Sequence, residues 1–307
     1  MSDPSSVTLA IPCYNAASFL DGVLSSVAAL DPAPGEVLVV DDGSTDGSGS
    51  VATGYPGVRV IRHETNAGIA AARNTAIQNA RKPIILFLDA DTRPSSDIVA
   101  KLARHYGEDD VAGVGGRGLE THVTDRSDRW RNEILFQGWG EDLRASVPFL
   151  FGLCSSYRKK ALIDVGGFNP LFRVSGEDMD AGYRLTSKGY RLIYEPEARV
   201  DHVRKDDAQS VGKMAYRHCF WGFTAQRMNH RYENKVTLSQ SAWTLLRQLA
   251  GSLLRGDLGF LGLTLRLHGM MLRAWLDSGR YVRARGKPSA AWDGSQVWEG
   301  HDRAPEA

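Results

Sequence analysis

Between residues 7 and 91 the chain alternates short, largely apolar runs with segments of helical periodicity, and this constrains its fold more than any other feature. Residues 7–11, 37–40, 58–61 and 84–88 are apolar runs of strand length, while 17–30 and 69–80 carry apolar or alanine-rich faces at helical spacing. Strands that are continuously apolar, rather than alternating with polar residues, are covered on both faces. A βαβα order of such strands predicts an α/β domain with a mostly parallel central sheet and helices on both sides. Pro94 opens a further predicted helix over 95–105, with Ser95 or Ser96 as its cap.

The second half is less regular. Residues 113–118 are a glycine-rich strand or turn, 125–140 a helix rich in Trp and Arg, 148–157 a strand, 159–165 and 178–188 helices, and 191–195 and 199–202 two short strands. After Asp206 helices with interleaved apolar and basic residues run to about Trp275. Residues 280–307, rich in Gly, Pro and charge, are expected to be disordered. No internal repeat is present.

Composition removes several classes of function. The 37 basic and 36 acidic residues leave a formal charge of +1, so no global field attracts nucleic acid. Cys13, Cys154 and Cys219 fit no metal-ligand spacing, and an odd, sparse set suits a reducing compartment, so a cytoplasmic location is expected. The polar start, Met1 to Ser6, runs directly into a strand and predicts no signal peptide. No apolar run approaches the roughly 18 residues that span a bilayer.

Ligands of open parallel α/β sheets bind at the carboxyl ends of the strands. The first strand is followed by Pro12-Cys13-Tyr14-Asn15, the second by Asp41-Asp42-Gly43-Ser44-Thr45-Asp46, and the run 84–88 by Asp89-Ala90-Asp91. Paired carboxylates repel one another unless a cation or a donor-rich ligand compensates them. A turn with a helix cap explains one such strand end but not two in one crevice. Asp89 and Asp91 suit a hard divalent ion, Mg²⁺ or Mn²⁺, completed by substrate phosphates, and the absence of a Cys/His cluster argues against Zn²⁺. Asp178, after Gly176-Glu177, sits where a helix begins. The helix dipole alone favours an acid there, and the position equally suits a general base.

Together, Pro12-x-Tyr14-Asn15, Val39-Val40-Asp41-Asp42-Gly43-Ser44-x-Asp46, Asn66-x-Gly68-x-x-x-x-Arg73-Asn74, Leu88-Asp89-x-Asp91 and Gly176-Glu177-Asp178 resemble the family 2 glycosyltransferases, in order and spacing, over about residues 7–202. The resemblance implies an inverting enzyme of the GT-A fold, with a catalytic domain over 1–205, nucleotide-binding to about 95 and acceptor-binding from 96, then a helical extension over 206–279. It implies that Pro12, Tyr14, Asn15 and Asp42 hold the nucleotide base, and that Arg73 and the Asn66–Gly68 loop line base and diphosphate. It further implies that Asp89 lies near ribose and metal, that Asp91 is the main metal ligand with His202 as a further contact, that Asp178 is the base, and that Glu177 touches acceptor or donor sugar. A UDP-sugar is the default donor, with GDP and dTDP as alternatives.

The Gln-x-x-Arg-Trp motif of processive relatives is missing, so transfer of one sugar, or few, is expected. Residues 241–275 interleave Leu, Trp and Met with Arg247, Arg255, Arg266 and Arg273, which suits a helix pair closing the domain, a homodimer contact, or peripheral contact with the inner face of the membrane near a lipid-linked acceptor. Trp130, Phe136 and Trp139 are either core or an aromatic platform for an acceptor sugar, and residues 152–156 are a candidate floor under the donor sugar. A nucleotidyltransferase needs a glycine-rich basic loop after the first strand, which Pro12-Cys13-Tyr14-Asn15 is not. A dinucleotide oxidoreductase needs a Gly-x-Gly-x-x-Gly turn there. A non-catalytic sugar- or partner-binding module of the same fold has no need of Asp91 and Asp178.

Overall fold

The computed structural model describes residues 3–205, 207–229 and 236–285, the stretch 236–244 by its backbone only. In chain order the elements are β1 (Val7–Cys13), α1 (Ala17–Ala28), β2 (Glu36–Asp41), α2 (Ser48–Thr53), β3 (Val58–Arg62), α3 (Ile69–Asn79), β4 (Ile84–Leu88), β5 (Thr92–Pro94), α4 (Ile98–Ala103), β6 (Val111–Glu120), α5 (Arg126–Ile134), β7 (Cys154–Arg158), α6 (Lys159–Asp164), α7 (Glu177–Ser187), β8 (Arg191–His202), α8 (Ala208–Met228), α9 (Val236–Leu254) and α10 (Leu258–Ala284). They form two compact units: the first holds residues up to Thr121 and Gln137–Arg204, the second His122–Phe136 and the helices after Lys205.

The first unit is an α/β domain around one sheet of order β3-β2-β1-β4-β7-β6-β8-β5. Strands β3, β2, β1 and β4 are parallel, as the βαβα order of largely apolar runs predicts; β3, at the edge of the sheet, carries Arg59 and is only partly buried. Beyond β4 the sheet is mixed, because β7 runs antiparallel to both β4 and β6, and β5 antiparallel to β8. Successive side chains of a strand point to opposite faces. Accordingly Leu9, Ile11, Val39, Leu86 and Leu88 pack with Leu20, Val23 and Val27 of α1 and Ile98 and Leu102 of α4. Ala10, Leu38, Val40, Ile85 and Phe87 pack with Ala72, Ala76 and Ile77 of α3 and Ala181 and Leu185 of α7. The alanines of α3 allow that helix to lie close to the sheet.

Several local expectations change. The helix foreseen over 95–105 spans Ile98–Ala103, and its N-cap residue is Asp97 rather than Ser95 or Ser96, because Thr92–Pro94 pairs with β8. The strand foreseen over 148–157 is only Cys154–Arg158. The two short strands before residue 203 are one strand, with Pro196 inside it.

In the second unit Trp130 is fully buried with Val211, Met214, Ala215, Phe260 and Leu267. Trp130 is therefore core, not a sugar platform. Asp125 caps α5 through the amides of Ser127 and Asp128, and a capping box at Asp207 starts α8. Helix α10 continues to Ala284, so residues 280–284, expected in the tail, are helical, and 286–307 lie outside the described residues. No helix among the described residues is long and apolar enough to cross a membrane.

Candidate active site

The polar strand ends converge along one edge of the first unit. At the ends of β1 and β2, Tyr14 is half-exposed, whereas Asp41 and Asp42 are buried. Asn15 adopts a left-handed φ of 49°, its amide donating to Ser44 Oγ and its side-chain oxygen accepting from the Thr45 amide. Asp46 accepts from the Ala17 and Ser48 amides and so anchors the starts of α1 and α2.

Asp42 is tied into a chain that runs across the strand ends. Its two carboxylate oxygens accept from the Ala67 and Gly68 amides at 2.9 and 2.8 Å, and His63 Nδ1 lies 2.6 Å from Oδ1. His63 Nε2 in turn lies 2.8 Å from Thr75 Oγ1 on α3. The carboxylate therefore shapes the loop Asn66 to Gly68, in which Gly68 has a φ of +96° and an added Cβ would lie 2.7 Å from the Arg173 carbonyl oxygen. Only glycine meets both conditions at low cost.

Arg73, fully buried in α3, joins distant elements. Nη1 donates to Glu177 Oε1 at 2.5 Å, and Nη2 donates to Asp89 Oδ1 and to the Gly152 carbonyl. The guanidinium lies over the rings of Phe87 and Phe168. Gly152 has no room for a side chain, since a Cβ there would sit 2.6 Å from Arg73 Nη2. Its amide donates to Asp178 Oδ2 at 3.0 Å, and the Met179 amide donates to Oδ1. Gly176, with φ of 88°, lets the chain turn into α7 so that Glu177 faces Arg73 in the interior while Asp178 stays partly exposed.

Burial dominates the electrostatics of these acids. It pushes Glu177 up to about 8 against the pull of Arg73, with the neighbouring charge of Asp178 adding to the rise. It also raises Asp178, again opposed by Arg73. Asp89 is raised by burial in spite of Arg73, with Asp91 contributing. Asp91 is also disfavoured by burial, but His202 and then Arg204 bring it below the usual carboxylate range.

His202, at the end of β8, stands between two acids: Nε2 is 3.3 Å from Asp91 Oδ2 and Nδ1 is 2.9 Å from Glu120 Oε1. Burial disfavours its charge, yet these carboxylates raise it to about 9. The arrangement follows from the sheet: Thr92 pairs with His202 across β5 and β8, and Glu120 pairs with His202 across β6 and β8. Asp91 and His202 are thus brought together, whereas Asp89 turns to Arg73. Among the described residues no group of three or more His, Cys, Asp or Glu side chains is gathered closely enough to hold a metal ion.

Sequence reasoning missed His63, Thr75, Glu120 and the Gly152 amide. His63 follows β3 and Glu120 ends β6, so a survey of every strand end would have found both. Gly152 lies in the stretch 152–156 expected as a floor under the donor sugar, but the part its amide plays in holding Asp178 carries no sequence signal. Of the aromatic trio, Trp139 packs on Phe149 and Phe151, the latter immediately before Gly152 in the chain, and donates from Nε1 to the Phe149 carbonyl.

A family profile described as glycosyl transferase family 2 matches residues 8–166, just over half of the chain. The chain is 31% identical over 239 residues to the pre-mycofactocin glycosyltransferase of Mycobacterium tuberculosis, covering 75% of this chain and 49% of that one. It is 30% identical over 199 residues to the glycosyltransferase AglE of Haloferax volcanii, covering 61% and 64% respectively. The chain spans about half to two thirds of the length of these relatives. Among solved structures, it resembles the mannosyltransferase PcManGT from Pyrobaculum calidifontis in complex with GDP-Man and Mn²⁺, with a TM-score of 0.61 and 20% identity over 89% of this chain and 87% of that one. It also resembles TarS 1–349 of S. aureus in complex with UDP, with a TM-score of 0.52 and 17% identity over 91% of each chain. At these identities the structural likeness speaks for the fold, and the family profile for descent: the chain is a member of glycosyl transferase family 2 with a GT-A fold.

Proposed function

We propose that this chain transfers a single sugar from a nucleoside diphosphate sugar to an acceptor hydroxyl, with inversion at the anomeric carbon, in the assembly of a surface polysaccharide, glycolipid or other glycoconjugate. The observation that carries this reading is the Arg73 network, in which one buried guanidinium holds both Asp89, at the end of β4, and Glu177, beside Asp178 at the start of α7. That link ties a candidate donor-side acid to a candidate base. UDP is the default nucleotide, and GDP and dTDP are the alternatives. The bound GDP-Man of one structural neighbour and the UDP of another support a nucleotide-linked donor.

Asp178 is the proposed general base. Its two oxygens accept one amide each, from Gly152 and Met179, which leaves lone pairs on both, and its partial exposure opens them to an acceptor. A carboxylate raised by burial is a stronger base than one in water. It takes the acceptor hydroxyl proton as that oxygen bonds to the anomeric carbon, while the bond from that carbon to the β-phosphate oxygen breaks and the nucleoside diphosphate leaves with the electron pair. One displacement inverts the centre. Glu177, buried against Arg73, keeps α7 and its base in place and lies beside the sugar position.

Asp91 and Asp89 suit a hard divalent ion. Both are partly exposed carboxylates with oxygen donors, and Asp89 is raised in part by the charge of Asp91, a repulsion that a cation relieves. His202 suits such an ion only after losing the Nε2 proton that faces Asp91, while Nδ1 keeps its proton toward Glu120. Mg²⁺ or Mn²⁺ held there supplies positive charge beside the departing diphosphate, and Mn²⁺ is present in two structural neighbours. Pro12, Tyr14 and Asn15 form the proposed base-binding edge. Asp42 acts there both directly and through the Asn66–Gly68 loop.

Calorimetric titration with UDP, GDP and dTDP, in Mn²⁺, in Mg²⁺ and in chelator, tests the reading. Metal-dependent binding of one nucleotide, abolished in Asp91→Ala, is the expected result. Absence of binding by all three with metal present would overturn the donor site and leave a non-catalytic module as the reading.

A further inference from the structure

The second unit exposes a recurrent Leu-Arg pair along its last two helices. Leu246-Arg247 of α9 are exposed, as are Leu254 at its end, at 89% of its surface, and Arg255 just beyond it. On α10, Leu265-Arg266 and Leu272-Arg273 are exposed in the same way. A helix turns about 100° per residue, so Leu258, Leu265, Leu272 and Leu276 fall on one narrow strip of α10. Five of the residues that α10 buries, Phe260, Thr264, Leu267, Ala274 and Ser278, lie on the opposite side, whereas the sixth, Gly279, lies near the strip and is covered by Arg227 of α8. Arg266, Arg273 and Arg280 form a second strip beside the exposed leucines, and Arg283 extends the basic end. The single acid in α10, Asp277, is engaged by Tyr216, Arg273 and Arg280.

Isolated exposed leucines are ordinary, but a strip of them flanked by arginines on the outward face of an already packed helix is not explained by folding. We propose that the outward Leu/Arg face of α9 and α10 lies on an anionic phospholipid surface, the leucines entering the acyl boundary and the arginines meeting the phosphate headgroups. Charge complementarity selects this occupant. A second copy of the chain is disfavoured, since a two-fold contact sets the same arginine strip against itself. The absence of a spanning helix among the described residues fits contact with a surface rather than insertion across it. The proposal stands apart from the transfer reaction.

Co-sedimentation of the full chain with vesicles of phosphatidylcholine, with and without phosphatidylglycerol, tests it. The protein is expected to bind anionic vesicles about tenfold more tightly than neutral ones, and less tightly as salt rises. The double variants Leu265→Ser/Leu272→Ser and Arg255→Glu/Arg266→Glu are each expected to lose about tenfold in vesicle binding, with unchanged circular dichroism, melting temperature and nucleotide affinity. If either variant fails to fold, the single change Leu254→Ser takes its place. Failure of the wild-type protein to bind anionic vesicles overturns the proposal, as does undiminished binding by the folded variants. A wild-type dimer that ignores vesicles and is split by the leucine changes assigns the face to a second copy instead.

Discussion

Arg73 and Glu177 are 104 positions apart in sequence, yet a guanidinium nitrogen of one lies 2.5 Å from a carboxylate oxygen of the other in the interior of the sheet domain. The contact ties α3 to α7 and sets the position at which Asp178, partly exposed, meets the Gly152 amide. Removing one member of a buried pair leaves the other charge without compensation. Arg73→Ala is therefore expected to cost about 3–5 kcal/mol of stability. Arg73→Lys should lose part of that, since an ammonium does not reproduce the planar fork that reaches Glu177, Asp89 and the Gly152 carbonyl. Urea unfolding of the two variants measures both; equal stability of Arg73→Ala and wild type would show that the network contributes nothing.

Asp178→Asn keeps the side-chain shape and an oxygen for the Gly152 amide but cannot take up a proton. The expected outcome is a fall in transfer rate of about a hundredfold to ten-thousandfold, with nucleotide affinity nearly unchanged. Single-turnover assays beside nucleotide titration separate the two quantities. A parallel loss of both would make Asp178 a structural residue.

Asp42→Asn replaces a carboxylate that accepts from two loop amides and lies beside His63 with a group bearing one acceptor and one donor. One of the Ala67 and Gly68 amides then faces an N–H, at a cost of about 1–3 kcal/mol. Hydrogen exchange at these two amides should accelerate, with a weaker nucleotide affinity. Protection equal to wild type would remove Asp42 as the organiser of the loop.

Glu195 gives a pH dependence removed from the proposed catalytic groups. Burial opposes its charge, but hydrogen bonds from Arg104 and His105 and the Glu197 amide outweigh it and lower the carboxyl from its usual 4.5. A carboxyl lowered in the folded state stabilises the fold only while ionised. Its contribution is complete above pH 4.5 and is lost as pH falls through the lower folded value. Wild type should exceed Glu195→Gln by about 1–2 kcal/mol at neutral pH, the partial exposure of Arg104 limiting the gain, and the gap should close in acid. Thermal melts of both proteins across that range are the measurement, and a gap independent of pH would exclude the ionic contribution.

How far the site could be read in advance differed from residue to residue. Strands β1, β2 and β4 and the clusters that follow them were legible because strand-length apolar runs and turn chemistry are local properties of the chain. The motif around Asp89 and Asp91 was legible as a pair of acids. Their separation was not: the structure gives Asp89 to Arg73 and Asp91 to His202, a division made by residues far away in sequence. Trp130 was ambiguous for the same reason, since aromatic spacing in a helix leaves open which neighbour covers it.

The sequence by itself determined the alternation of buried strands and helices, the acids at the strand ends, the glycines that permit turns at Gly68 and Gly176, and the family. Tertiary structure decided that β5 runs antiparallel to β8 and so sets Asp91 beside His202, that Arg73 reaches Glu177 rather than solvent, and that His122–Phe136 packs with the C-terminal helices. Periodicity and turn propensity act over a few residues, whereas pairing between distant strands and the burial of a charge depend on which surfaces meet when the whole sheet is assembled.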